Sequence, residues 1–191
     1  MGAPSAAAAR LADLQAQLPP QARLLAVSKG HPAEQIRELA LLGQRSFGES
    51  RLQEARPKQE ALADLSFLDW HFIGHLQANK VRAVLRQFAW LHSIDSLPLA
   101  ERVSRIAQEE GLEPALFLQV KLRADPSKGG FSAAELTEAW PQLAALPSVR
   151  IVGLMTMAPL GLDADQRRQL FEECAALARQ LQLPELSMGM S

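Results

Sequence analysis

The chain has 191 residues, with 20 basic and 21 acidic side chains, a formal net charge of −1 and 48% apolar residues. This length is typical of one soluble domain, and polar residues interrupt every apolar run well short of the ~20 residues that a bilayer-spanning helix needs. The balanced charge lacks the surplus of Lys and Arg that phosphate neutralisation requires, so we expect neither a membrane nor a nucleic acid as a partner.

Seven short apolar runs predict β-strands. In chain order they cover 24–27, 45–49, 70–74, 90–94, 115–122, 149–157 and 186–190. Helical segments separate these runs. Residues 1–20 are expected to form a ragged start and an N-terminal helix, and 32–42 begins with a Pro at a first-turn position. Helix and strand therefore alternate along the chain.

Three later helices carry clearer signals. The first has apolar residues on one face: Leu99, Val103, Ile106 and Ala107. The second begins at Ser132-Ala-Ala-Glu135, which has the spacing of a capping box. The last, which ends before Pro184, has an apolar stripe: Leu170, Phe171, Cys174, Leu177, Ala178 and Leu181. Cys174 is therefore interpreted as core packing.

Cysteine and tyrosine usage limits the chemistry of the chain. Cys174 is the single cysteine, so no internal disulfide and no cysteine cluster for a metal can form. Residues 1–9 lack the basic and apolar regions of a secretory signal, and we expect a cytoplasmic protein. The chain contains no Tyr, which excludes a mechanism that needs a phenol.

The spacing of the strands predicts the architecture. Successive strands start roughly 20 to 37 residues apart, which is the size of a βα unit, so the sheet is predicted to be parallel. An open doubly wound sheet and a (β/α)₈ barrel both fit this pattern, but no Gly-rich phosphate turn follows the first strand. We predict an α/β fold with one domain over 1–191, a (β/α)₈ TIM-type barrel that lacks its last strand.

The carboxyl ends of barrel strands carry function, and Lys29 follows the first predicted strand. Burial at that position would lower the pKa of the lysine and free its amine to attack a carbonyl group. From position alone we favour the alternative, a solvated lysine at a strand end. Lys121, at the end of the fifth predicted strand, is a rival candidate, although alternation favours a surface lysine there.

Two further clusters have structural interpretations that we prefer. His71 and His75 would share a face of a helix, but this stretch reads as a strand and no acidic or cysteine ligands complete a site, so no metal is predicted. The basic residues of 79–86 open the next helix, where a solvated face is favoured over anion binding at its N-terminus. Met155, at the end of the sixth strand, would ordinarily fill a core.

Five segments form a pattern when they are taken together. They are Ala26-Val27-Ser28-Lys29, Phe47-Gly48-Glu49-Ser50, the stretch from Trp70 to Lys80, Gly153-Leu154-Met155, and Leu186-Ser187-Met188-Gly189-Met190-Ser191. In order and spacing these segments resemble the pyridoxal phosphate (PLP) homeostasis protein family, and the resemblance runs from about Leu24 to Ser191.

The resemblance implies a barrel like the N-terminal domain of alanine racemase. It implies pyridoxal 5′-phosphate held as a Schiff base on Lys29, with Ser50 and Met155 beside it and Ser191 at the phosphate. Family members take part in vitamin B6 homeostasis and in amino- and keto-acid balance, without an established reaction. The resemblance therefore implies a monomeric carrier that serves PLP-requiring apo-enzymes, with no catalytic residues.

The chain departs from the family pattern in two places. Ser50 stands where the family usually has Asn, and the eighth βα unit, which addresses the cofactor in family members, is expected to be absent. We therefore expect weak PLP binding or none, and lower stability than in a full-length relative.

Two alternatives differ in class. One is a fold-type III PLP enzyme such as an amino-acid racemase, and the absence of Tyr and of a second domain argues against it. The other is a regulatory module that acts only through contact with a partner.

Overall fold

The computed structural model describes residues 6–125 and 128–190. Two compact units make up the chain, Met1–Phe72 and Ile73–Ser191, and each is described by itself. That 1–191 forms one domain stays a prediction.

The first unit contains three strands and three helices in alternation. These are α1 (Ala6–Gln17), β1 (Ala26–Val27), α2 (Ala33–Leu41), β2 (Ser46–Glu49), α3 (Leu52–Ala61) and β3 (Asp69–Phe72). β1 pairs with β2, and β2 pairs with β3, both in parallel. In this register Val27 lies opposite Gly48, and Gly48 lies opposite His71.

The core of the first unit lies between the sheet and its helices. Ile36 and Ala40 of α2 pack with Phe47 of β2, and Trp70 of β3 packs against this cluster. The rings of Phe47 and Trp70 lie 6.2 Å apart with a tilt of 41°. Because side chains alternate along a strand, Phe47 faces the helices while Gly48 faces the other side of the sheet.

The second unit begins with a 3₁₀ turn at Ala78–Lys80 and continues the alternation of helix and strand. Its elements are α4 (Val81–Leu85), β4 (Trp90–Ile94), α5 (Leu97–Glu110), β5 (Ala115–Gln119), α6 (Ala133–Ala144), β6 (Arg150–Ala158), α7 (Ala164–Gln180) and β7 (Glu185–Met190). Its four strands pair in parallel and in chain order. None of the helices in the described ranges combines the length and the apolar character needed to cross a bilayer.

The predicted apolar faces form the core of the second unit. The four predicted residues of α5 are all buried, and in the stripe of α7 only Phe171 is half-buried rather than buried. Cys174 has no exposed surface, and burial raises the pKa of its thiol to about 12, so its interpretation as core packing is confirmed. The capping box is also confirmed, because Ser132 Oγ accepts from the Glu135 amide and the Glu135 carboxylate accepts from the Ser132 amide.

All seven predicted strands are present, and two of them end earlier than predicted. β3 ends at Phe72 rather than at residue 74. β5 ends at Gln119 rather than at residue 122, because the following loop folds back and the Phe131 amide donates to the Gln119 carbonyl oxygen. Lys121 therefore lies beyond the strand, where it is exposed.

Candidate functional site

Lys29 lies in a tight turn directly after β1. The Ser28 amide donates to the Gly48 carbonyl oxygen at 3.0 Å, so Ser28 extends the β1–β2 ladder and Lys29 is the first residue past it. The turn is closed by the His31 amide, which donates to the Ser28 carbonyl oxygen at 3.1 Å. Gly30, with a φ of +76°, adopts the left-handed conformation that this turn requires.

The structure agrees with the interpretation of Lys29 as a solvated lysine at a strand end and not with its burial. The residue is exposed, because it follows the last ladder residue and the turn carries it away from the core. In the described part of the chain its amine has no hydrogen-bond or ion-pair partner. An unpaired primary amine at the carboxyl edge of a parallel sheet is accessible to an electrophilic ligand.

Ser50 occupies the corresponding position at the end of the neighbouring strand. It follows Glu49, the last residue of β2, and it is half-buried. Val27 and Gly48 lie opposite one another in the register, and Lys29 and Ser50 each lie two residues further on. The first unit therefore brings these two predicted site residues to the same edge of its sheet.

The other two predicted site residues belong to the second unit. Met155 lies within β6, between Gln119 of β5 and Ser187 of β7, and it is buried. Ser191 lies outside the described residues. Their predicted roles at the cofactor stay predictions.

A buried ion pair supports the Lys29 turn, and our sequence reasoning missed it. Glu49 is completely buried, and its Oε1 accepts from Ser28 Oγ at 2.7 Å and from Lys58 Nζ at 2.6 Å. Lys58 Nζ also donates to the Ser28 carbonyl oxygen at 2.8 Å. Glu49 belongs to the segment Phe47-Gly48-Glu49-Ser50, but no periodicity or spacing in the sequence indicates that it pairs with Lys58 of α3.

A second acidic side chain contacts the other end of the turn. Glu54 Oε2 accepts from the Gly30 amide at 3.3 Å, while its Oε1 accepts from Arg51 at 2.8 Å. The hydrogen bond from Arg51 is the main reason that the pKa of Glu54 lies below its usual range. Both residues that flank Lys29 are thus bound by acidic side chains of β2 and α3.

His71 lies on the same face of the sheet as Val27 and Gly48, one strand further along. Burial, with a smaller contribution from the charge of Arg23, lowers the pKa of His71 to about 4. The imidazole is therefore neutral at physiological pH and presents no positive charge to this face.

The two histidines that we considered as metal ligands have different surroundings. His71 is buried in β3, whereas the side chain of His75 is 73% exposed and its Nδ1 lies 3.7 Å from Asp95 Oδ2. Over residues 6–125 and 128–190, no group of three or more His, Cys, Asp and Glu side chains has an arrangement that could hold a metal ion.

The basic residues after the third strand contact acidic residues of α5. Arg82 binds both Glu109 and Glu110, and Arg86 Nε donates to Glu110 at 2.7 Å. The hydrogen bonds from Arg86 and then from Arg82 lower the pKa of Glu110 to about 2. These guanidinium groups are already paired with carboxylates, which supports the solvated helix face over an anion site.

A contact between β4 and β7 shows that the sheet of the second unit is curved. His92 Nδ1 lies 2.7 Å from Ser187 Oγ, and the imidazole stacks on Phe117 with 4.3 Å between ring centroids. β5 and β6 separate these strands, so β4 and β7 would be about 14 Å apart in a flat sheet. A direct contact between two short side chains therefore requires strong curvature, as in a barrel wall.

Comparison with known proteins gives the family. The family model described as "Alanine racemase, N-terminal domain" matches residues 3–191. The pyridoxal phosphate homeostasis protein of Synechocystis sp. is 45% identical over 185 residues, which cover 94% of this chain and 85% of that protein. The chain belongs to the pyridoxal phosphate homeostasis protein family. The family assignment that we made from sequence motifs is therefore confirmed.

Solved structures support the family assignment and the fold. The structure of PipY of Synechococcus elongatus PCC7942 was solved with PLP bound, and its sequence is 51% identical to this chain. The two structures superpose with a TM-score of 0.92, over 97% of this chain and 89% of PipY. Alanine racemase of Clostridium difficile 630 is 13% identical, with a TM-score of 0.73 over 97% of this chain and 50% of that one, and it shows the fold alone. The predicted fold class, that of the alanine racemase N-terminal domain, is confirmed.

Proposed function

We propose that this chain binds pyridoxal 5′-phosphate through Lys29 and serves intracellular vitamin B6 homeostasis. The observation that carries the proposal is the amine of Lys29, which is exposed and, within the described residues, unpaired at the carboxyl edge of the strands of the first unit. The similarity to PipY, a protein solved with PLP bound, supports the same cofactor.

The residues of the first unit fit such a cofactor. When bound, PLP supplies an aldehyde that condenses with a primary amine and releases one water. Lys29 provides that amine, and Ser50 places a hydroxyl at the same edge. His71 contributes a neutral imidazole to the same face, where the pKa of about 4 keeps it uncharged. We also retain Met155 and Ser191 as proposed cofactor-binding residues.

We further propose that the chain is a carrier and not an enzyme. Racemisation of the alanine racemase kind needs a second acid–base group, and the chain has no Tyr to supply a phenol. A carrier needs only to hold the cofactor reversibly and to release it to PLP-requiring apo-enzymes. We propose that it does so as a cytoplasmic monomer.

Borohydride trapping tests the attachment site. The protein is titrated with PLP, followed by absorbance, reduced with borohydride and mapped by peptide mass spectrometry. We expect the adduct on the peptide that contains Lys29, its loss in Lys29→Ala and its retention in the matched control Lys121→Ala. An adduct on another lysine, or none in the wild type, would refute the proposal. The titration also measures the affinity.

A transfer assay tests the carrier role. The PLP-loaded protein is incubated with an apo-enzyme whose activity depends on PLP, and in parallel with L-alanine followed by chiral analysis. A carrier restores the apo-enzyme's activity and leaves L-alanine unchanged. Formation of D-alanine would instead establish a racemase.

A further inference from the structure

The Lys29 turn is bound on both sides by acidic and basic side chains of β2 and α3. Ser28, the residue before Lys29, contacts the Glu49–Lys58 ion pair through both its hydroxyl and its carbonyl oxygen. Gly30, the residue after Lys29, donates its amide to Glu54. The backbone that carries Lys29 is therefore fixed from two directions.

The burial of the Glu49–Lys58 pair carries a desolvation penalty that a purely structural role does not require. Glu49 has no exposed surface, and only 11% of the Lys58 side chain is exposed. Glu49 Oε2 has no hydrogen-bond partner among the described residues, so one oxygen of a buried carboxylate is left unsatisfied. Since burying charges carries a desolvation penalty, apolar residues of similar volume often stabilise a core equally well.

The contacts of this pair indicate what it does. Within the described residues, the side chains of Glu49 and Lys58 form hydrogen bonds only with each other and with Ser28. Such a pair fixes the direction in which the chain leaves β1, and it does so one residue before the amine that we assign to the cofactor. Fixed geometry of this kind lowers the cost of bringing reacting groups together.

We propose that Glu49 and Lys58 are positioning residues for Lys29. They hold Ser28 so that the next residue presents its amine at the carboxyl edge of the sheet, and Glu54 supports the turn from the Gly30 side. This inference rests on the proposed function, that Lys29 carries PLP. Neither Glu49 nor Lys58 is expected to touch the cofactor, because alternation places Glu49 on the helix side of β2 and both side chains bind Ser28 and each other.

Hydrogen exchange of the cofactor-free protein gives the first test, and it does not depend on PLP. We compare peptides covering 26–36 in the wild type, Glu49→Gln, Lys58→Met, Lys58→Arg and Glu54→Ala. The amides of Ser28, Gly30 and His31 all donate hydrogen bonds in this turn. We expect exchange about tenfold faster in Glu49→Gln and Lys58→Met, with recovery in Lys58→Arg.

Trapping with borohydride gives the second test. At equal PLP concentration we expect the rate at which the Lys29 adduct forms to fall by about ten- to a hundredfold in Glu49→Gln and Lys58→Met, and to recover in Lys58→Arg. The matched control is Asp64→Asn, which breaks the Arg37–Asp64 ion pair in the same unit without touching the turn. It should leave both measurements at the wild-type values.

The outcomes separate this inference from the proposed function. If Glu49→Gln and Lys58→Met show wild-type exchange and wild-type adduct formation, the positioning role is overturned and the proposed function stands. The same follows if Asp64→Asn changes both measurements as much as these two variants do. Absence of an adduct on Lys29 in the wild type would overturn the proposed function and the positioning role with it. Glu49→Gln and Lys58→Met change buried residues. If these two variants fail to fold, Glu54→Ala, which changes a partly exposed side chain, provides the test through hydrogen exchange at the Gly30 amide and the rate of Lys29 adduct formation. Wild-type values in that variant would count against the inference.

Discussion

Gly153 and Glu185 face each other across the β6–β7 pair at a distance that only glycine permits. A β-carbon built on Gly153 would lie 2.1 Å from the Glu185 carbonyl oxygen and 2.9 Å from the Glu185 β-carbon. The two residues form the first of six register pairs between these strands. Gly153 therefore sets how closely β7 approaches β6 at the point where the ladder begins.

We expect Gly153→Ala to lower the free energy of unfolding by about 3 kcal/mol, because backbone atoms of β7 must move to accept the methyl group. Gly189→Ala is the matched control, since Gly189 lies in the same ladder opposite Met157 and a β-carbon there meets open space. Urea unfolding of the cofactor-free proteins, followed by circular dichroism, measures both. Equal midpoints for the two variants would show that the close approach at Gly153 is not maintained in solution.

Local features of the fold were accessible from the sequence. Strand positions follow from short apolar runs, and the helix start at Ser132 follows from the reciprocal bonds of a capping box, which involve residues three apart. The apolar face of α5 follows from its period, because a helix repeats every 3.6 residues. These signals are local, so the composition of a short segment is enough to reveal them.

Contacts between distant segments were not accessible in this way. His92 and Ser187 lie 95 positions apart, and their contact depends on the curvature of the four strands of the second unit. The pairing of Glu49 with Lys58 depends on how α3 returns over β2, which no pattern in the residues indicates. A solvated Lys29 at a strand end was predictable, but the left-handed turn at Gly30 that follows it was not. Motifs therefore indicated candidate site residues, and the tertiary structure shows which contacts support the Lys29 turn.

Cys174 is predicted to be inert in the folded protein. Burial raises the pKa of its thiol from 9.0 to about 12, so its thiolate fraction at pH 8 falls roughly a thousandfold, and the surrounding core blocks access as well. Iodoacetamide labelling at pH 8, followed by mass spectrometry, should proceed at least that much more slowly in buffer than in 6 M guanidinium chloride, about the concentration that unfolds most domains. Rapid labelling in buffer would show that α7 opens locally.

Ser132→Ala is expected to lower the free energy of unfolding by about 1 kcal/mol, because the Glu135 amide loses its hydrogen-bond acceptor at the start of α6. Ser132→Asp should retain most of the stability, since a carboxylate also accepts from that amide. Thr137→Ala is the control, because it alters an exposed hydroxyl inside the same helix. Denaturant titration measures all three, and an equal loss in Ser132→Asp and Ser132→Ala would contradict the assignment of the cap.

His71 is expected to make the stability of the fold depend on pH. Its pKa is about 4 in the folded chain, mainly because of burial, and about 6.5 when unfolded, so the unfolded chain binds a proton more readily. Stability is then fully present above pH 6.5 and falls as the pH is lowered from 6.5 towards 4. Between pH 7.5 and 4.5 the wild type should lose about 2.5 kcal/mol more unfolding free energy than His71→Gln. His75→Gln, which alters an exposed imidazole, should keep the wild-type loss. Urea unfolding at both pH values measures the difference, and parallel losses in the wild type and His71→Gln would show that the imidazole is not buried in the folded chain.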